Sequence, residues 1–235
     1  MTTLYLCGAG NAEGVRLALT INRKESRWDR IVILDDDPQK HGRVILGVTV
    51  IGSLDLLKRV NPRSGEVVNF VARSAVKRWI VRRKLQGYGV PFASLVHPDV
   101  DISGVTLPRD ILIYQHADIG PEVSIGEGSV VFMGAAVGHE SQLQNGCVVA
   151  PHAIINARVE FGDGVYVGSN ATLLPEVKVG AWATIGAGTM VMRDVPSCAT
   201  LLGVPGIIVC KLPRPPIEEA STECLQECAA LRSAV

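Results

Sequence analysis

The sequence predicts an α/β domain of Rossmann type followed by a solenoid of short parallel strands. Apolar residues recur every six positions from Ile113 to Val191, and strand-like segments alternate with helix-like ones before that stretch.

The 235 residues contain 23 Lys and Arg against 23 Asp and Glu. Because no net charge favours nucleic acid or an anionic membrane, we expect neither partner.

Strand and helix patterns alternate along the N-terminal third of the chain. Thr3–Cys7 is typical of a buried strand, and a glycine-rich turn and an amphipathic helix follow it. The further predicted elements are strands at 31–34 and 66–71 and helices at 54–58 and 74–86. This alternation predicts a small parallel sheet with helices against it.

Two clusters in this domain are candidates for nucleotide binding. Gly8 and Gly10 would place backbone N–H groups and a helix N-terminus near a phosphate, although tight-turn packing fits them equally. Asp35 and Asp36 follow the second strand, where a carboxylate can bind a ribose or a base edge. A solvated turn with a helix cap is the alternative interpretation of the two aspartates.

The six-residue period is the strongest pattern in the chain. Its aliphatic positions are Ile113, Ile119, Ile125, Val131, Val137, Leu143, Val149, Ile155, Phe161, Val167, Leu173, Val179, Ile185 and Val191. Four residues after each comes a small or β-branched residue: Ala117, Val123, Ser129, Ala135, Ser141, Cys147, Ala153, Val159, Val165, Ala171, Val177, Ala183, Thr189 and Val195. Such a period fits neither a helix nor a flat strand, but it fits a three-faced coil with these residues inside. We expect the glycines that follow many aliphatic positions to ease the bend at each corner.

His139 is the candidate catalytic residue among the five histidines. It follows Gly138 at a predicted corner, in a slot whose side chains point outward. An imidazole is a suitable general base near neutral pH, and the adjacent Glu140 can fix its tautomer. An incidental surface histidine is the alternative from these residues alone.

Several segments together resemble the PglD/NeuD-type sugar acetyltransferases, within the hexapeptide-repeat transferases. They are 32–38, His41-Gly42, 46–53, and 95–98 at the entry to the solenoid. The resemblance covers about residues 3 to 208 and implies a left-handed β-helix, a homotrimer and acetyl-CoA as co-substrate. It implies three parts: a nucleotide-sugar-binding domain (1–93), an acyltransferase β-helix (94–209), and a C-terminal linker with a short helical tail (210–235).

The resemblance also assigns roles to residues. It implies that His139 and Glu140 are the catalytic pair and that the Ala157 N–H stabilises the oxyanion, one coil further along. The acetyl-CoA contacts would be Ala157, Gly186 and Ala187, and no metal is expected. The chain departs from the family pattern at Asn11-Ala12-Glu13, where Glu13 would repel a pyrophosphate, and at Val148, where relatives often have a second histidine. Ala157-Arg158 replaces a family Gly-Gly, and Arg158 is either a phosphate partner or a surface residue.

The predicted function is therefore transfer of acetyl from acetyl-CoA to the amino group of a nucleotide-linked amino sugar. An O-acetyltransferase acting on a sialic-acid-type sugar needs the same base and stays open. A metal enzyme resembling the γ-carbonic anhydrases and a non-catalytic trimeric scaffold are further alternatives. Without an export signal or a membrane span, we expect a cytoplasmic protein with reduced cysteines.

Overall fold

The computed structural model describes residues 2–211, with Lys211 described by its backbone alone. The α/β domain contains β1 (Thr3–Cys7), α1 (Ala12–Glu25), β2 (Arg30–Leu34), β3 (Val44–Ile45), β4 (Val48–Gly52), β5 (Gly65–Asn69) and α2 (Ala75–Gln86). Short 3₁₀ helices cover Pro38–Lys40 and Leu54–Arg59. The strand order is β3-β4-β2-β1-β5, parallel except for the edge strand β3. The predicted Rossmann-like sheet is confirmed, and the β3–β4 hairpin adds a fourth parallel strand that the sequence reading omitted.

The solenoid is a β-helix built almost entirely of two-residue strands. They are β6 (Leu95–Val96), β7 (Leu112–Ile113), β8 (Asp118–Ile119), β9 (Ser124–Ile125), β10 (Val130–Val131), β11 (Ala136–Val137), β12 (Gln142–Leu143), β13 (Val148–Val149), β14 (Ile154–Ile155), β15 (Glu160–Phe161), β16 (Tyr166–Val167), β17 (Thr172–Leu173), β18 (Lys178–Val179), β19 (Thr184–Ile185) and β20 (Met190–Val191). The antiparallel pair β21 (Ala199–Leu202) and β22 (Ile207–Lys211) closes the described chain.

Three flat faces surround the β-helix core. The first face is the sheet containing β7, β10, β13, β16 and β19; the second contains β8, β11, β14, β17 and β20; the third contains β9, β12, β15 and β18. The chain passes from the first face to the second and then the third, so Val131 pairs with Ile113 below it and Val149 above it. Every aliphatic and every small position predicted to point inward is buried. The hexapeptide register is therefore confirmed throughout.

The prediction that glycines ease the corner bends is wrong in its physical reason. Gly138, which follows the aliphatic Val137, has no left-handed φ. Instead, a Cβ on Gly138 would lie 2.6 Å from the Ala157 nitrogen on the next coil. The left-handed residue comes two positions later, and it is often not glycine, as at Glu140 (φ +60°) and Arg158 (φ +57°). At these glycine positions a Cβ would lie within 3 Å of an atom of the next coil, so a side chain does not fit without a shift of that coil.

The α/β domain packs on the outer side of the first face. The outward residues Leu112, Val130 and Val148 are buried in one core with residues of the α/β domain. Arg78 of α2 is fully buried, and its guanidinium donates to the Gly128 carbonyl (2.6 Å) and to that of Asn69 (2.6 Å). Because both domains share a core and buried hydrogen bonds, the α/β domain covers the part of the first face that β7, β10 and β13 form.

Residues 212–235 lie outside the described part of the chain, and with them the predicted helical tail. The domain limits at 93 and 209 stay predictions. Among residues 2–211, none of the helices combines the length and the apolar character that crossing a membrane requires.

Candidate active site

The corner between the second and third faces carries the His139–Glu140 pair. Strand β11 ends at Val137, Gly138 lets the next coil approach, and His139 leaves the corner outward with 49% of its side chain exposed. The His139 Nδ1 lies 2.8 Å from Glu140 Oε1. Because a carboxylate can only accept, the neutral imidazole donates from Nδ1 and keeps the Nε2 lone pair free. This arrangement suits a general base.

The Ala157 amide lies directly beside this pair on the following coil. The Arg158 N–H donates to the His139 carbonyl at 3.0 Å, which holds the Ala157–Arg158 backbone against that of His139. The Ala157 N–H itself has no acceptor among the described residues. An open backbone donor next to a general base can stabilise a developing oxyanion.

Arg158 binds carboxylates of its own chain at this corner. Its Nε lies 3.1 Å from Glu176 Oε1, and its Nη1 lies 3.8 Å from the same Glu140 oxygen that contacts His139. These contacts join residues eighteen positions apart, one coil above another. No local motif indicates them, although counting in steps of eighteen would have found the column.

The glycine-rich turn of the α/β domain is tied down by Asp35. Gly8 adopts φ +112°, and its N–H donates to the Leu34 carbonyl at 2.8 Å. Asp35 accepts from the Ala9 N–H (2.8 Å), the Asp37 N–H (3.0 Å) and the Lys40 ammonium (3.1 Å). Burial alone would raise the pKa of Asp35, but these hydrogen bonds outweigh it and hold the pKa below its usual value.

Asp36 is also engaged, since it accepts from the Leu54 N–H (2.9 Å) and the Lys84 ammonium (2.7 Å). Both aspartates thus organise the fold around the turn, in line with the alternative interpretation. Gly10 is open, since nothing lies within 4 Å of where its Cβ would be. A role for Gly8, Gly10, Asp35 and Asp36 in binding a nucleotide stays a prediction.

Two of the departures at the start of α1, Asn11 and Glu13, have structural explanations. The Asn11 side chain caps the helix by accepting from the Gly14 N–H at 2.9 Å, and its Nδ2 donates to the Tyr114 hydroxyl at 2.8 Å. Glu13 forms an ion pair with Arg16. The turn is therefore joined to the β-helix through Asn11, and the Glu13 charge is partly compensated.

The remaining predicted residues do not converge on His139 within one protomer. Gly186 and Ala187 follow β19 and occupy the corner between the first and second faces. The glycine-rich turn belongs to the domain that covers the first face, whereas His139 lies at the corner opposite that face. Within residues 2–211, no group of three or more His, Cys, Asp or Glu could hold a metal ion.

The fold defines this chain as a hexapeptide-repeat β-helix protein with a Rossmann-like domain in front. Residues 158–193 match the model of the bacterial transferase hexapeptide, described as six repeats. No curated protein sequence matches the chain significantly.

Solved structures show the same two-domain arrangement. A mutant of perosamine N-acetyltransferase from Caulobacter crescentus, in complex with CoA and GDP-perosamine, aligns with a TM-score of 0.80 at 24% identity, over 89% of this chain and 98% of that one. The acetyltransferase domain of PglB from Neisseria gonorrhoeae FA1090, in complex with acetyl coenzyme A, aligns with a TM-score of 0.80 at 24% identity. The alignment covers 88% of this chain and 98% of that one. WeeI from Acinetobacter baumannii AYE aligns with a TM-score of 0.77 at 18% identity, over 89% of this chain and 100% of that one. The fold implied by the sequence resemblance, with its left-handed β-helix, is confirmed.

Proposed function

We propose that the protein transfers acetyl from acetyl-CoA to the amino group of a nucleotide-linked amino sugar. The observation that carries the proposal is the His139–Glu140 pair, at 2.8 Å, beside the open Ala157 N–H. The similar structures support it, because one is a complex with CoA and GDP-perosamine and another is a complex with acetyl coenzyme A. A base and an oxyanion donor on one corner are the two groups that acyl transfer from a thioester requires.

The chemistry follows from the positions of these groups. The nitrogen of the acceptor amine bonds to the thioester carbonyl carbon, and His139 Nε2 takes a proton from that nitrogen. Glu140 stabilises the resulting imidazolium, and the Ala157 N–H binds the carbonyl oxygen as it gains negative charge. Collapse of the tetrahedral intermediate breaks the C–S bond, and the imidazolium returns its proton to the leaving CoA sulfur. The products are the acetylated sugar amine and free CoA.

The acceptor site requires a second copy of the chain. The glycine-rich turn and His139 lie on opposite sides of one β-helix, so a sugar held by the turn cannot reach His139 of the same protomer. In a homotrimer, the α/β domain of one protomer would face the His139 corner of its neighbour. Gly186 and Ala187, at a different corner from His139, would likewise contact acetyl-CoA from the neighbouring chain.

The charge around His139 favours an amino sugar over a sialic acid. Glu122, Glu140, Arg158 and Glu176 occupy the left-handed slot of this corner on four successive coils, so three of the four side chains are acidic. An acceptor bearing an ammonium is attracted to this corner, whereas the carboxylate of a sialic acid is repelled. O-acetylation of a sialic-acid-type sugar therefore remains the second candidate.

The test is CoA thiol release measured with UDP-, GDP- and dTDP-linked amino sugars and with a sialic-acid acceptor. The proposal predicts acceptor-dependent thiol release with at least one amino sugar, and an N-acetylated product by mass spectrometry. Turnover with the sialic acid alone would establish the O-acetyltransferase instead. Thiol release with none of them would favour the non-catalytic scaffold. We expect the reaction in the cytoplasm, where acetyl-CoA and nucleotide sugars are available.

A further inference from the structure

A column of charged side chains runs along the His139 corner from coil to coil. Glu122, Glu140, Arg158 and Glu176 occupy the same left-handed slot, with φ of +60°, +60°, +57° and +66°. Backbone hydrogen bonds stack them: the Arg158 N–H donates to the His139 carbonyl at 3.0 Å, and the Glu176 N–H to that of Ala157 at 3.0 Å. Because the slots repeat, these side chains leave the corner in parallel, about 4.8 Å apart.

One carboxylate oxygen in this column is hydrogen-bonded to His139 and lies within ion-pair distance of Arg158. Glu140 Oε1 lies 2.8 Å from His139 Nδ1 and 3.8 Å from Arg158 Nη1. Arg158 is itself divided, since its Nε binds Glu176 Oε1 at 3.1 Å. The strength with which Glu140 attracts a proton to the imidazole therefore depends on how closely Arg158 approaches it.

On the basis of the proposed function, we infer that Arg158 is a positioning residue: it balances the charge of Glu140 and so weakens the attraction of this carboxylate for the His139 imidazole. Glu176 sets this balance by holding Arg158 one coil away. The predicted role of Arg158 as a phosphate partner is disfavoured, because its guanidinium already contacts the carboxylates of Glu140 and Glu176.

The other charged groups around His139 leave this assignment intact. Asp118 points outward from the second face one coil earlier, and Glu122 lies in the column on that coil. On the third face, Lys178 and Glu160 neutralise each other at 3.1 Å. Among residues 2–211, Arg158 is the Lys or Arg side chain that forms an ion pair with Glu140.

The test follows the imidazole of His139 directly, in full-length protein with isotopically labelled histidine rings. The five histidines are resolved by NMR, and His139 is assigned by its loss in His139→Asn. The Arg158 guanidinium lies 3.8 Å from the Glu140 oxygen that contacts the His139 ring, and a nearby cation disfavours protonation of an imidazole. At low ionic strength, Arg158→Gln should therefore move the NMR titration of His139 to higher pH.

Glu176→Gln should move the titration the opposite way, because it releases Arg158 toward Glu140. The double variant should behave as Arg158→Gln alone, since Glu176 acts through Arg158. Arg158→Lys should restore part of the shift, and Lys178→Gln, which breaks an ion pair of equal length on the third face, should change the titration little. Shifts of the same sign for Arg158→Gln and Glu176→Gln, or none for Arg158→Gln, would overturn the inference.

Activity separates this inference from the proposed function. In the same variants, the acidic limb of the kcat/KM profile for thiol release should follow the NMR titration. If the titration moves but the limb does not, the charge balance stands and His139 is not the base. If the limb moves and the NMR titration does not, Arg158 acts elsewhere and the inference is wrong.

Discussion

Replacing Gly138 by alanine tests the stacking of coils and the Ala157 donor together. The new Cβ would lie 2.6 Å from the Ala157 nitrogen and 2.6 Å from the Asn156 carbonyl carbon, both backbone atoms that cannot rotate away. Overpacking of this kind costs about 1–3 kcal/mol. For a chain of this length each kcal/mol lowers Tm by roughly 2–4 °C. Because the displaced atom is the proposed oxyanion donor, kcat should also fall by about 100-fold.

Gly126→Ala is the matched control for this variant. Its Cβ would lie 2.6 Å from the Asn145 nitrogen and 2.6 Å from the Gln144 carbonyl carbon, at the corner between the third and first faces. Both variants are assayed by thiol release well below their Tm. Gly126→Ala should lose similar stability and keep kcat within a few-fold. Equal losses of kcat in the two variants, or full kcat in Gly138→Ala despite a lower Tm, would refute the reasoning.

Two further predictions concern the partly buried Asp35 and the buried Cys147. Since Asp35 has a lowered pKa in the folded state, its stabilisation is complete above the unfolded value of about 3.9 and is lost as pH falls through the folded one. In thermal scans, Asp35→Asn should lower Tm at pH 7. Below about pH 4, the Tm of this variant should fall less steeply with pH than that of the unsubstituted protein; parallel plots of Tm against pH for the two proteins would contradict this. Burial raises the pKa of the Cys147 thiol to about 12, so iodoacetamide at pH 8 should alkylate it only after denaturation. Rapid labelling of native Cys147, detected by peptide mass spectrometry, would disprove its burial.

The core of the β-helix could be predicted because a single period decides it. In a solenoid, a slip of one residue would move Val137 out of the core and Gly138 into it, so burial fixes the register along the whole repeat. The same reasoning located His139 at a corner with its side chain outward. Its contact with Glu140 was predictable because the two residues are neighbours in the sequence, whereas the left-handed conformation of Glu140 was not.

Features that depend on stacking were not predictable from local pattern. The contact of Gly138 with Ala157 and the ion pair of Arg158 with Glu176 join neighbouring coils, and nothing within six residues signals them. The β3–β4 hairpin was missed because its turn residues, Leu46 (φ +49°) and Gly47 (φ +82°), replace the Asn-Gly type of pair that marks such turns.

The role of the acidic cluster Asp35-Asp36 could not be decided from the sequence for a different reason. Carboxylates after a strand suit a nucleotide and a turn equally well, and only the positions of the Ala9 N–H and the Lys40 ammonium show that Asp35 is already engaged. The same holds for Asn11, whose side chain links the turn to Tyr114 of the β-helix. Partners this far apart along the chain are set by the packing of the two domains.

The most direct test of the central claim is the acetyl-transfer rate of His139→Asn. The measurement is kcat for thiol release, with the amino-sugar acceptor that supports turnover in the unsubstituted protein. Loss of a general base should lower kcat by about 10²–10⁴-fold. Because the side chain is half exposed, Tm and the Kd for acetyl-CoA should not change. A kcat within a few-fold of the unsubstituted protein would show that His139 is not the base.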